Sequence, residues 1–395
     1  MIMLKMRHSQ NLYDQDPYQD FCILDNNTNL YQPNNNPAAV PWFTLDLDKD
    51  PIDRWQEIGQ KYGPNIKSLI GSLTSWLIPL LERFGINNGY NMTITFMETI
   101  IFPKIPAPYK DEIVGMANAS GLQLGEIVIY NIFYEIFTVC TSIVANDDNG
   151  HIYHARNLDF GLLLGWDNQT HEWAVTERLR TMIFNLNWTR NGQTVFKSVQ
   201  FAGYTGILSG MKEGGFTVTV DDRFMAEGGI IGLIRWLLGA EYKFTTWLTR
   251  ELFENNTIAS FNDALDHLKN TPIMAPVYYI VGGANPWEGA ILARSLNQTD
   301  IHSQFNQTNA EDGWYLLETN YDQGIEVLYL DDRRTPGHAC MKKLGRSNVG
   351  FQGLFNVMSS KSNLNMLTTY TVLMSAQTGA FETYIQTCSH PCYAW

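Results

Sequence analysis

The chain has 395 residues and a formal net charge of −13, with 27 Lys and Arg against 40 Asp and Glu. So acidic a balance excludes a nucleic-acid binder, which needs a basic face for phosphate. It also repels anionic membranes at neutral pH, a repulsion that weakens as acid protonates carboxylates and histidines. The length fits two or three average domains, or one large α/β domain with a helical companion, and no apolar run is long enough to span a bilayer.

Residues 1–37 are polar, Asn-rich and without sustained periodicity, and read as an extended arm. The first ten residues lack the apolar core of a signal peptide. Residues 40–47 alternate apolar with polar and predict a strand. From 52 to 84 the period turns helical, with Trp55, Ile58, Tyr62, Ile66, Leu69 and Leu73 on one face, and Gly63-Pro64 predicts a break into a helix pair. After the Pro-rich link at 103–108, helices are expected at 109–118, ending near Gly121, and at 124–137, where apolar residues nearly all round imply burial.

The central stretch is Val139-Cys140-Thr-Ser-Ile-Val-Ala145, then Asn149-Gly150, then His151 to Phe160. Two β-rich runs around Asn-Gly predict a hairpin with a type I′ turn. Its geometry would gather a thiol (Cys140), a cation (Arg156) and a carboxylate (Asp159) at one end of a sheet. A buried, inert core cysteine is the competing reading.

Downstream the chain turns mostly β. Runs 181–188, 194–201 and 215–220 alternate, and Asn191-Gly192 predicts a hairpin between the first two. Residues 228–239 are apolar, 247–253 and 260–270 helical, and 277–281 and 290–293 strands. Runs 314–320 and 326–330 are expected to pair, 331–336 reads as a turn, and 354–374 mixes helix and strand signals.

Five cysteines leave one thiol over if the rest pair. Cys388 and Cys392 can close a small loop, leaving Cys22 and Cys340 for a long-range bridge and Cys140 free. No second Cys pair or His cluster at zinc spacing accompanies Cys388/Cys392, so no metal is expected. Sequons occur at Asn26, Asn91, Asn118, Asn168, Asn187, Asn255, Asn297 and Asn306, and with the odd cysteine they favour a secretory-route glycoprotein.

The run from Asn131 through Cys140 to Ala145, then Arg156-Asn-Leu-Asp159-Phe-Gly161 and Leu164-Gly-Trp166, resembles the acid ceramidases. These are N-terminal-nucleophile hydrolases related to the N-acylethanolamine acid amidases and, more distantly, to bile-salt hydrolases and penicillin V acylases. The likeness runs from about Val40 to Trp395. Cys22, the 228–239 run and the Cys388/Cys392 tail are ceramidase-like, and the acylethanolamine amidases lack most of them.

The resemblance implies an α+β fold, an αββα sandwich of two antiparallel sheets with a mainly helical N-terminal segment. Self-cleavage between Val139 and Cys140 would yield an α-subunit (1–139) and a β-subunit (140–395) joined by a disulfide. Cys140 would be the nucleophile with its freed amine as proton shuttle, needing neither histidine nor cofactor. Asp159 would orient that amine, and Arg156 would lower the thiol pKa. Asn320 matches the family's oxyanion asparagine and Arg333 its second arginine. Asp222, in Val220-Asp-Asp-Arg-Phe224, stands where the family has a glutamate. The implied reaction is hydrolysis of ceramide in the lysosome, with possible secretion. The substrate would load from a membrane surface into an apolar groove lined partly by 230–238, with a saposin-like lipid-presenting helper as a possible partner. Alternatives are an N-acylethanolamine amidase, a non-catalytic secreted lipid-binding glycoprotein, and a Cys-His protease, which the context of the eight histidines disfavours.

Overall fold

The computed structural model describes residues 21–24, 30–33, 40–83, 88–133, 138–161, 165–225, 229–309, 311–388 and 392. Asn26, Leu164, Gly228, most of the 1–37 arm and the end of the expected 124–137 helix lie outside the described residues.

In chain order the strands are β1 (Trp42–Asp46), β2 (Thr138–Asn146), β3 (Ile152–Phe160), β4 (Trp166–Asp167), β5 (Glu172–Trp173), β6 (Ile183–Arg190), β7 (Gln193–Phe201), β8 (Ser209–Lys212), β9 (Phe216–Asp222), β10 (Val277–Gly283), β11 (Gly289–Arg294), β12 (Thr299–Gln304), β13 (Tyr315–Glu318), β14 (Thr368–Ser375) and β15 (Ala380–Tyr384). An eight-stranded sheet runs β1-β6-β7-β8-β9-β10-β11-β12 and faces a five-stranded one, β13-β2-β3-β14-β15. Helices cover both outer faces, so the fold is α+β with an αββα layering. Pairing is antiparallel except that β1, from the mainly helical N-terminal segment, lies parallel to β6 at the edge.

The β2–β3 hairpin forms with Cys140 opposite Leu158 and Val139 opposite Asp159. Its turn is not the expected type I′: only Gly150 has positive φ (86°), and Asp147 closes a longer loop through its backbone and side chain onto Asn149 and His151. Type I′ geometry occurs instead at Asn191-Gly192, φ 51° and 72°, between β6 and β7.

The expected helix pair at 52–84 is one helix, Gln56–Arg83. Pro64 is exposed, so the carbonyl it leaves without a helical donor can face water. Gly63 serves close packing: a Cβ there would lie 2.9 Å from the Ser120 carbonyl oxygen of the neighbouring helix Tyr109–Ser120. The expected 314–320/326–330 pair is also absent. β13 pairs with β2, while Glu326 to Leu328 is irregular and Tyr329–Asp331 a single 3₁₀ turn. The turn expected at 331–336 becomes the start of a helix, Arg334–Leu344, packed under the five-stranded sheet with the helix Phe351–Ser359.

Cys22 pairs with Cys340 and Cys388 with Cys392, leaving Cys140 as the free thiol among the described residues. Among them, no helix is long and apolar enough to cross a membrane. Asn91, Asn118, Asn168, Asn297 and Asn306 are exposed, Asn187 and Asn255 half-buried.

Candidate active site

Cys140 lies between the two sheets, and the chain runs unbroken through it. It is fully buried, yet its surroundings are not those of an inert core cysteine. Arg156, one pleat back on β3, reaches across so that Nη2 donates to Cys140 Sγ at 2.9 Å. The rest of that guanidinium is clamped by the carbonyls of Val220 and Leu208, at 2.6 and 2.8 Å, and by Ser209 Oγ at 2.8 Å. Burial pushes the Cys140 thiol above its ordinary pKa, and the Arg156 charge opposes that shift.

The backbone of the same residue is held by two further side chains. Cys140 N donates to Asn320 Oδ1 at 2.6 Å, and Arg333 Nη1 donates to the Cys140 carbonyl. Asn320 follows β13 with φ 71°, a left-handed conformation that Asn tolerates better than most residues. Glu318 Oε1 fastens that turn by accepting from the N–H groups of Thr319 and Tyr321, both at 3.0 Å. Arg333 is fixed in turn by Asp331, its Nε donating to Oδ1 at 2.8 Å, and its Nη2 donates to Asn320 Oδ1 at 3.1 Å.

Asp159 is fully buried, with Oδ2 3.9 Å from Arg333 Nη1. In the unbroken chain its partners are Asn365 Nδ2 (2.9 Å) and Thr368 Oγ1 (2.7 Å), while the Cys140 nitrogen donates to Asn320. Burial raises its pKa to about 6 against the opposing pull of Arg333. Asp222 meets the site through its backbone, its carbonyl accepting from Asn320 Nδ2 at 2.8 Å. Its neighbour Asp221 turns inward: fully buried, with Oδ1 3.5 Å from Arg156 Nη2. Sequence reasoning thus brought Cys140, Arg156, Asp159, Asn320 and Arg333 together and missed Asp221, Glu318, Asp331, Asn365 and Thr368. The one signal for Asp221 was the Thr217-Val-Thr-Val-Asp221 alternation, which puts Asp221 on the face shared with Thr217 and Thr219.

Over 361 residues, 91% of this chain and 89% of its counterpart, the sequence is 39% identical to human acid ceramidase, and over the same shares 38% identical to the mouse enzyme. The chain belongs to the acid ceramidase family. Two family models match within it: the beta subunit of N-acylethanolamine-hydrolyzing acid amidase over residues 38–84, and the linear amide C-N hydrolases of the choloylglycine hydrolase family over 140–308. The second match begins on Cys140, the residue around which this family member assembles its buried charges. Among solved structures, the Caenorhabditis elegans ortholog of N-acylethanolamine-hydrolyzing acid amidase superposes with a TM-score of 0.52 at 27% identity, covering 63% of this chain and all of that one.

Proposed function

We propose that this chain is a self-processing cysteine amidase that hydrolyses the amide bond of ceramide to a sphingoid base and a fatty acid. One observation carries the reading. The sulfur, nitrogen and carbonyl oxygen of Cys140 each have a dedicated polar partner, Arg156, Asn320 and Arg333, in a chain 39% identical to human acid ceramidase.

Activation breaks the Val139–Cys140 bond. The sulfur attacks the Val139 carbonyl carbon, a C–S bond forms as the C–N bond breaks, and the thiol proton passes to the departing nitrogen. Water then cleaves the thioester, leaving a Val139 carboxylate and a free thiol. The α-subunit ends there and the β-subunit begins with the nucleophile, its amine near neutral pKa and one residue's width from the sulfur.

In turnover that amine takes the thiol proton, the sulfur attacks the acyl carbon, and the amine returns the proton to the leaving nitrogen. Water hydrolyses the acyl-enzyme. Arg156 stabilises the thiolate, Asn320 offers its amide to the developing oxyanion, and Arg333 with Asp159 holds the amine side of the site. Asp222 acts through the carbonyl that aims Asn320.

Apolar side chains flank the two segments leaving the site. Phe224 and Met225 follow β9, and Ile325, Leu328 and Tyr329 follow Asn320, with Leu328 68% and Tyr329 92% exposed. They supply the contact through which a two-chain lipid loads from a membrane or from a saposin-like helper. The lysosome, reached by a glycosylated precursor, fits this chemistry. An N-acylethanolamine is the second substrate class, favoured by the 38–84 family match and the nematode structure.

The test is electrophoresis with end-sequencing. Mature protein should give two pieces under reduction, the larger beginning at Cys140, and one band without reductant through Cys22–Cys340. Cys140→Ala should stay whole and inactive. A larger piece beginning elsewhere, or ceramide turnover surviving that substitution, overturns the reading. Faster turnover of a single-chain ethanolamide than of ceramide selects the second substrate.

A further inference from the structure

Between the sheets runs a polar seam inside an otherwise apolar layer. Thr217, Thr219 and Asp221 share one face of β9 and meet Ser142 of β2 and His154 of β3, all five buried. Ser142 Oγ donates to Asp221 Oδ1 at 3.0 Å, and Thr219 Oγ1 and Ser142 Oγ are 3.0 Å apart. His154 Nε2 is 3.0 Å from Thr219 Oγ1, and Nδ1 is 2.8 Å from Thr217 Oγ1. Thr217 Oγ1 donates to the Gly282 carbonyl at 3.2 Å.

Each hydroxyl has one proton, so the seam has few consistent arrangements. With Thr217 donating to Gly282, His154 Nδ1–H donates to Thr217 and Nε2 is the variable end. If Nε2 carries a proton, donation runs His154 to Thr219 to Ser142 to an Asp221 carboxylate. If Nε2 is bare, every bond reverses, and the run needs a proton on Asp221, donated to Ser142. The two arrangements hold the same number of protons and differ by a concerted shift of three along the seam.

Arg156 links this seam to the sulfur. The Nη2 that donates to Cys140 Sγ is 3.5 Å from Asp221 Oδ1, and among the described residues no donor reaches Asp221 Oδ2. Such a carboxylate is poorly solvated when ionised and competes with a thiolate for one guanidinium.

We infer that Asp221 is a positioning residue for the reaction: protonated, it leaves Arg156 to the Cys140 sulfur, and ionised, it draws on that charge, so the loss of its proton, with Ser142 turning from acceptor to donor, sets the alkaline limit of activity. The inference rests on the amidase reading above. The other charged or titratable groups facing Asp221 are Arg156 and Asp159 from β3, Cys140 from β2, Arg333, Glu318 from β13 and Tyr370 from β14. Burial raises Asp221 to about 6, against the pull of Arg156, whereas burial lowers His154 to about 3. The seam's proton therefore sits on Asp221 in acid.

The experiment follows kcat/KM for a short-chain ceramide in neutral detergent micelles from pH 3.5 to 8.5, on cleaved wild type, Asp221→Asn and Thr219→Val. Asp221→Asn should move the alkaline limb upward, raising the pH 7.5 to pH 5 ratio at least about tenfold over wild type. Thr219→Val keeps Asp221 but removes the acceptor that Ser142 needs when Asp221 is protonated, so its limb should move to lower pH. Active variants whose profiles superimpose on wild type, or shift in the same direction, overturn the inference while leaving the amidase reading intact. If Asp221→Asn does not fold, Thr219→Val decides alone, an unmoved limb being the overturning result. A wild type without amidase activity at any pH overturns the amidase reading, and this inference with it.

Discussion

Replacing Glu112 by Gln should weaken the fold and, more specifically, the grip between the two pieces that scission would create. Glu112 is fully buried and accepts from Trp55 Nε1 (2.8 Å), Arg54 Nη1 (2.9 Å) and both terminal nitrogens of Arg250 (2.5 and 2.6 Å). Arg54, Trp55 and Glu112 precede Cys140, and Arg250 follows it. Burial alone would raise the Glu112 pKa, but the Arg250 charge and the bonds from Arg250, Trp55 and Arg54 hold it below the usual range. Gln keeps the shape and removes the charge, leaving Arg250 with Glu254 (2.5 Å) as its carboxylate partner. Breaking a buried pair costs about 3–5 kcal/mol. Glu254 places this case near ~3, or roughly 150-fold in the folding equilibrium. Urea unfolding of Glu112→Gln in a Cys140→Ala background, where on the proposed mechanism the chain would stay single, reads it directly. The sign with pH is fixed: a depressed carboxylate stabilises above its unfolded pKa and loses that contribution as pH falls through the folded value, so the gap between variant and parent should close below about pH 4. In cleaved protein with Cys22–Cys340 reduced, wild-type pieces should co-elute and the variant's should separate. A gap under ~1 kcal/mol at pH 6 would refute the reasoning.

Arg156→Gln should lower amide turnover by about 10²-fold or more, measured as kcat/KM, because the sulfur loses its buried cation. Asp159→Asn, in the Cys140→Ala background, tests a raised carboxylate. The wild-type group sits at about 6 in the fold, so wild type loses stability relative to the Asn variant as pH rises from about 4 through 6, by up to ~3 kcal/mol in chemical denaturation. Gly63→Ala should destabilise by about 1–2 kcal/mol in the same assay despite the better helix propensity of Ala, because the new Cβ meets Ser120 backbone rather than a movable side chain.

What could be read in advance was local. Cys140, Arg156 and Asp159 sit on one hairpin, and strand alternation with one turn brings them together. Asn320 and Arg333 arrive from about 180 residues away, and only the family likeness pointed to them. Asp221 was missed because β9 is buried on both faces. Its Thr/Asp face looks like a solvent face in sequence but lies against the second sheet, where Ser142 and His154 satisfy it. The 52–84 break failed for a related reason: Gly63 answers a neighbouring helix, a tertiary demand invisible to local propensity. The 326–330 run alternates like a strand, yet β13 already has β2 as its partner.

The Val139–Cys140 bond, proposed above as the one that breaks, is not at the edge of a strand but inside one, since β2 begins at Thr138 and both Thr138 and Val139 are in register with β3. A severed backbone would therefore leave its new carboxyl end lying in the sheet against Asp159, stoppering the thiol it has just uncovered. Scission and readiness become separate events, with the last two residues of the upstream piece peeling from β3 in between. A lag between the appearance of two bands and the onset of turnover would time that peeling.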